Sequence, residues 1–393
     1  MALNTVSSDR LSTNVKNTNF TAAEKQDLTD DIKPLLGSSG GGRKNIVING
    51  AMNVAQRAVS STSGGYQTVD RMPVYHTGGA VTQSQESLTS GSPFENGFTK
   101  YLRLTNTTAN TGTNVARSTI YKIESQDVAN SGWDYKSSSS YITISFWVRS
   151  SVSQQFYIMA RTQDGTSQAY PFSLGTLSAN TWTKVTHSIP GNSNLQFDTD
   201  TNANAVDRGL EFFLYVSLGT DFTSSSVTLN AWGAYTSSAR LPDYTNSWAA
   251  ATNATFDITG YQIEVGSVAT DFEHRSFGEE LALCQRYFFR VPALGTGATS
   301  IYIGSGVESS SNSRIAFIMP QVMRAAPTVT ANDLNSDDEQ STTDASTVSA
   351  IIAGSTNCDR MRIQLTGGSY SSGNAVSLVC ANANSFLAGD AEL

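Results

Sequence analysis

Charged residues are scarce in this chain. Asp, Glu, Lys and Arg make up 15% of its 393 residues, and Ser, Thr, Asn and 31 Gly fill the shortfall. Long charged side chains usually cover helix surfaces, whereas small polar residues favour turns and compete with helical hydrogen bonding. A largely helical fold is therefore disfavoured. Basic residues are the rarer sign, 25 Lys plus Arg against 33 Asp plus Glu, for a formal charge of -8. No basic stripe interrupts the sequence, so no nucleic-acid partner is expected.

Cysteine is nearly absent. Cys284, Cys358 and Cys380 are odd in number and form no C-x-x-C pair, which argues against a disulfide framework and a zinc site. His76, His187 and His274 show no paired-ligand spacing, and no G-x-S-x-G elbow occurs. Gly37 to Lys44 has the glycines of a phosphate loop, but Asn45 stands where Ser or Thr must bind magnesium. No uncharged run approaches the roughly 20 residues that span a bilayer. No apolar run follows Met1 either, so neither membrane insertion nor a signal peptide is expected, and the thiols should stay reduced.

What the chain does have is alternation. In Tyr141 to Arg149, Ile142, Ile144, Phe146 and Val148 fall on one face; Leu210, Phe212, Leu214, Val216 and Leu218 do the same further on. That period of two marks strands with one buried side. Weaker strands are expected near 101–105, 117–124, 154–161, 181–189 and 226–235. Between Phe256 and Val265 the apolar phase slips at Gly260, as a β-bulge requires. Short strands joined by Gly- and Ser-rich turns predict an all-β fold, an antiparallel sandwich.

Three regions are expected. Residues 1–43 are expected to hold a short helix and a linker, an unstructured leader being the alternative: Thr21 and Glu24 fit a capping box, Leu28 and Ile32 lie one turn apart, and Pro34 ends the helix before a Gly-rich linker. So short a helix is marginal alone and needs a partner, either copies of itself or an anchoring protein, which makes Phe20, Leu28, Ile32 and Leu35 candidate anchoring residues. Residues 44–277 form the sandwich. Residues 278–393 begin with a helix capped by Ser276 and Glu279, with Cys284 on its apolar face. They continue into a smaller β domain with Ile315, Phe317 and Met319, Met361, Ile363 and Leu365, and Val376, Leu378 and Cys380 inward. Asn332 to Ser346 reads as an acidic loop.

Five segments then occur in an order of their own: Asn45 to Arg57 (NIVINGAMNVAQR), Val69-Asp70-Arg71, Tyr261 to Arg275 (YQIEVGSVATDFEHR), Glu279 to Phe288 (EELALCQRYF) and Met323 to Thr330 (MRAAPTVT). Together they resemble a family of bacteriophage tail fibre and tail appendage proteins, with Met72 where the family has an aromatic residue. The resemblance covers roughly residues 45–330. It implies a jelly roll similar to carbohydrate-binding modules, followed by a small β domain, on a virion appendage that is commonly a homotrimer. Residues 1–43 would then attach to a tail or baseplate protein. On the residues alone, the strand at Asn45 is expected to pair with Gly260–Val265 and so close the sandwich edge. Gln56, Arg57, Asp70 and Arg71 are expected to form a buried polar cluster, the alternative being an ordinary surface position.

Candidate sites are few. Asp198, Asp200, Asn202 and nearby Asp207 space oxygens as a calcium loop does, although Ala203 replaces the turn glycine; a solvated loop is the alternative, and structural calcium is the one possible cofactor. Trp133, Trp182, Trp232, Tyr235, Tyr244 and Trp248 lie near expected turns or strand ends, where an exposed ring could stack on a host surface glycan. Their alternative is the core. Asp271/Glu273 and Glu279/Glu280 are acid pairs, but Glu279 is already accounted for as a helix cap, so no enzyme is expected. The expectation is a structural tail fibre or appendage subunit. A carbohydrate-binding receptor-recognition module is the alternative, and a polysaccharide depolymerase a distant third.

Overall fold

The computed structural model describes residues 44–197, 207–295, 301–309, 312–337, 342–343, 347–351, 358–366 and 372–393. The anchoring candidates Phe20, Leu28, Ile32 and Leu35, and the calcium candidates Asp198, Asp200 and Asn202, lie outside these residues.

Two antiparallel sheets of six strands face each other. The first, sheet A, runs β1 (Ser60–Ser61), β3 (Val81–Ser87), β4 (Lys100–Asn106), β12 (Thr255–Val265), β6 (Tyr141–Ser150) and β9 (Thr183–Pro190). Sheet B runs β11 (Gly233–Ala234), β8 (Gln168–Leu177), β7 (Gln154–Thr162), β10 (Arg208–Leu218), β5 (Ala116–Glu124) and β2 (Val74–Thr77). The alternation read from β6 holds, and that from β10 holds as far as Val216; a register shift between Tyr215 and Ser217 turns Leu218 to the outer face of sheet B, against Tyr157 and Met159. Ile142, Ile144, Phe146 and Val148 meet Leu210, Phe212, Leu214 and Val216 in one core that also takes in Phe156, Phe172, Phe256 and Trp248. The fold is an antiparallel jelly-roll sandwich. Residues 226–235 do not form the expected strand, and only Gly233 and Ala234 pair, with β8. The rest of that stretch belongs to a loop whose side chains, Leu229 among them, cover the outer face of sheet B.

The bulge at Gly260 is real. Pairing with β6 jumps between Thr259 and Gln262, and Gly260 takes φ 65°. Beyond the bulge β12 leaves β4, whose ladder ends at Ile258. The segment from Asn45 fills that side, but not as the predicted strand. Asn45 does the pairing with its side chain, accepting from the Ile263 amide (3.1 Å) and donating to the Tyr261 carbonyl (3.2 Å). Ile46 N donates to Ile263 O, and Tyr261 N to Gly50 O, each at 2.9 Å. Asn49 and Met52, at φ 62° and 58°, turn the chain away and prevent a regular ladder.

Four short α-helices are described: α1 (Ser92–Glu95), α2 (Ser125–Ala129), α3 (Ser247–Ala250) and α4 (Phe277–Gln285). The predicted capping box starts α4, with the Ser276 hydroxyl accepting from Glu279 N and the Glu279 carboxylate from Ser276 N. A three-stranded sheet, sheet C, comes next, with β13 (Phe288–Val291), β22 (Phe386–Asp390) and β16 (Thr328–Asn332). The last, sheet D, runs β18 (Thr342–Thr343), β17 (Leu334–Asp337), β21 (Ala375–Cys380), β14 (Tyr302–Glu308), β15 (Asn312–Ile318), β20 (Arg360–Thr366) and β19 (Thr347–Ile351). Residues 332–346, expected to be a loop, therefore supply two strands. β17 is held by backbone pairing with β21, which needs no apolar alternation. Ile315, Phe317, Met319, Met361, Ile363, Val376, Leu378 and Cys380 build a second core as expected. Even so, Asn45–Leu393 forms a single compact unit.

The reason lies in four of the five segments of the resemblance, which converge on the junction between sandwich and C-terminal sheets. Arg71, 1% exposed, pairs with Glu392, donates to the Lys122 carbonyl (2.8 Å) and lies over the Tyr287 ring at 3.5 Å. Arg57 bridges Asp390 (2.9 Å) and Glu392 (3.5 Å) and covers Phe288. The Gln56 amide joins Asp70 to the Phe288 carbonyl. The Tyr287 hydroxyl and Arg286 share Glu124 (2.6 and 2.9 Å). Arg324 donates to the Ala391 and Glu392 carbonyls. The predicted buried polar cluster exists, and it is a clamp between modules.

Candidate functional site

The outer face of sheet A carries a cavity with aromatic walls and polar edges. Its construction starts at β12. The Glu264 carboxylate accepts from the Thr270 amide (2.8 Å) and hydroxyl (2.6 Å), and the side-chain Oε1 of Gln262 accepts from Glu273 N (2.9 Å). These bonds fold residues 266–275 back across the sheet. Phe272 and His274 are thereby set against Phe98, which lies just beyond α1. Phe98 and Phe272 meet edge to face at 4.8 Å, and His274 stands 5.1 Å from Phe98. His274 is oriented by a 3.1 Å hydrogen bond between Nε2 and the Asn96 carbonyl.

Trp147 supplies the opposite wall. It sits on the polar face of β6, directly across from Lys184 on β9. Gly260 lies at the base, where an added Cβ would stand 2.7 Å from the Phe98 ring. The resulting cavity of about 270 Å³ is lined by Asn96, Phe98, Trp147, Lys184, Asp271 and His274, with Ser145 and Thr270 between them. The half-buried Trp147 and Phe272 and the exposed His274, with Phe98 buried behind them, stand beside amide, ammonium and carboxylate groups and suit a polyhydroxylated ring, which presents apolar C–H faces and hydroxyl edges.

The face continues past the cavity. Asp257, fully buried, is held by Arg103 (2.7 and 3.0 Å) and Arg149 (2.9 and 2.7 Å). That hydrogen bonding holds the Arg103 guanidinium above its ordinary pKa. Arg149 lies 4.6 Å over Trp182, which packs edge to face on Tyr101 at 5.7 Å.

Of the six aromatic candidates, Trp182 alone shares this face. Trp248 is fully buried in the sandwich core, with its indole N–H donating to Thr255 O. Trp133, 3% exposed, packs on Phe197. Neither offers a ring face to a ligand. Trp232 lies against Tyr170 and donates to Pro190 O (2.7 Å). Tyr235 and Tyr244 pack on the outer face of sheet B; burial pushes the Tyr244 hydroxyl pKa up, and its oxygen accepts from Leu218 N. The sequence did not single out Trp147, Phe272 or His274 as site residues. The available signal was Trp147 itself, a large ring on the polar side of a strand whose apolar side was already complete.

The remaining candidates have other partners. Asp207, the one calcium candidate among the described residues, lies 4.0 Å from Arg324. Glu273 pairs with Arg275 (2.9 Å), and Glu280 accepts from Asn49 N, so each acid pair has a member already engaged. Cys284 is buried in the core under α4, and burial raises its thiol pKa.

No protein-family model matches the sequence, and no curated protein matches it. Among solved structures, the chain is similar to the enzymatically active domain of tailspike protein 4 of bacteriophage CBA120, with 11% identity and a TM-score of 0.29 over 56% of this chain and 21% of that one. It is also similar to a family 11 carbohydrate-binding module from Clostridium thermocellum, with 12% identity, a TM-score of 0.25, and coverage of 55% and 99%. The N-terminal cellulose-binding domain of a Cellulomonas fimi β-1,4-glucanase gives 10% identity and a TM-score of 0.27, with coverage of 55% and 99%.

Proposed function

We propose that this protein is a non-catalytic, carbohydrate-recognising subunit of a virion appendage. Its sandwich binds glycan on the outer face of sheet A, and residues 1–43 attach it to a tail or baseplate protein. The carrying observation is the cavity in which Trp147, Phe98, Phe272 and His274 surround polar groups of both charges. The order of the five segments supports the appendage reading. The clamp that four of them build supports a rigid arm on which a binding face keeps its direction.

Affinity electrophoresis against neutral glucans, galactans and mannans tests the binding role. Trp147→Ala should weaken binding of the retained polysaccharide at least about tenfold, or ~1.4 kcal/mol, while Trp232→Ala leaves it unchanged. Equal retention of both variants would remove the sheet A face from the proposal. Release of reducing ends from any of these polysaccharides would overturn the non-catalytic part. Deleting residues 1–36 tests attachment: the remaining protein should fold and bind sugar but be missing from assembled particles, and normal incorporation would sink the anchoring role.

A further inference from the structure

The outer face of sheet D carries a concentration of positive charge that the net charge of -8 hides. Arg314 on β15 and Arg360 and Arg362 on β20 all alternate with buried neighbours and are all exposed. The register places Arg362 opposite Ala316 and Arg360 opposite Ile318, while Arg314 faces Gln364. Arg314 and Arg362 are thus diagonal neighbours on two paired strands, roughly 7–8 Å apart. Neither has an ion-pair or hydrogen-bond partner among the described residues. Arg360 touches Asp359 at 3.3 Å and keeps 72% of its side chain exposed. Between and beside the guanidinium groups lie apolar surfaces, with Ile318 76% exposed and Val307 57% exposed.

Three arginines at this spacing, next to exposed aliphatic side chains, fit one kind of partner well. A guanidinium binds a carboxylate in a planar, two-pronged fashion. Duplex nucleic acid fits less well: it carries one charge per roughly 1.7 Å, which a chain of net negative charge repels beyond this small patch. Among the described residues, no aromatic ring stands between these arginines to stack a base. A polysaccharide with carboxylates on its rings presents sparser charge, and its C–H faces can lie on Ile318 and Val307. We infer that the outer face of sheet D, through Arg314, Arg360 and Arg362, is a second binding surface that takes a carboxylate-bearing polysaccharide. It is independent of the cavity on sheet A.

The test uses the full chain, with polygalacturonate as probe and dextran as the neutral control, in affinity electrophoresis at low and high salt. Polygalacturonate should retard the protein and dextran should not do so through this face. Because surface charge interactions are screened, the retardation should fade as salt is raised. Arg314→Glu/Arg362→Glu should lose at least about tenfold in affinity with unchanged circular dichroism and unfolding midpoint. Arg314→Lys/Arg362→Lys should lose less. Trp147→Ala should bind polygalacturonate like the parent, which separates this inference from the sheet A reading. Four results would each overturn it: unaltered binding by the glutamate variant, salt-insensitive binding, tighter binding to duplex DNA of equal charge, or a change in sedimentation coefficient marking the face as a contact between copies.

Discussion

Asp70 is fully buried, with the Gln56 amide and backbone N–H on its carboxylate and Arg57 3.8 Å away. Burial outweighs these partners and pushes its pKa up to about 6, from 3.8. A raised carboxyl pKa makes folding less favourable as pH rises. Below about pH 4 the side chain is neutral in both states. Between pH 4 and 6 the unfolded chain ionises while the folded one resists, so folding stability falls by about 3 kcal/mol and then levels off. Asp70→Asn keeps the shape and removes the titration. Urea unfolding should show that the decline between pH 4 and 6 attributable to this group is gone in the variant. Parallel stability curves for parent and variant would contradict the assignment. At the same scale, the phase of β6 was readable from Ile142 to Val148. The role of Trp147 was not, because nothing local says that residues 266–275 will return over that face.

The lead segment and β12 touch more closely than any side chain would allow. A Cβ on Gly50 would stand 2.1 Å from the Tyr261 carbonyl oxygen, which itself accepts from the Asn45 amide. Gly50→Ala must therefore push the two backbones apart and weaken the contacts made by Asn45. A loss of roughly 1–3 kcal/mol is expected, the range for overpacking a filled site. Chemical denaturation measures it, and a neutral result would mean that the lead segment can shift freely. The sequence predicted an ordinary strand here. It missed that Asn45 replaces the ladder with its own amide, because side chain-to-backbone pairing leaves no periodic pattern. The bulge at Gly260 and the cap at Ser276 were legible for the opposite reason: each depends on neighbours within a few residues.

Across the whole molecule, the clamp decides whether sandwich and C-terminal sheets behave as one body. The Arg71 and Glu392 side chains are both buried, and removing Arg71 leaves Glu392 only its 3.5 Å pairing with Arg57, at part of the roughly 3–5 kcal/mol that breaking a buried pair costs. Arg71→Met should therefore split the calorimetric endotherm of the parent into two, with the C-terminal sheets melting first. Adding Glu392→Leu should restore much of the loss, since the poorly paired charge is gone. One endotherm for Arg71→Met would show that the two cores are coupled by other contacts.

The sequence by itself determined the class of fold, the facing of the main strands, the bulge, the helix cap and the fact that certain polar residues belong together. All of these arise from local sterics, hydrogen bonding or a period of two. Only the tertiary structure decided what the polar residues join, which aromatics stay near solvent, and that three arginines separated by up to 48 positions share one sheet face. Those outcomes depend on register and on loops returning over sheets, and neither leaves a mark on neighbouring residues.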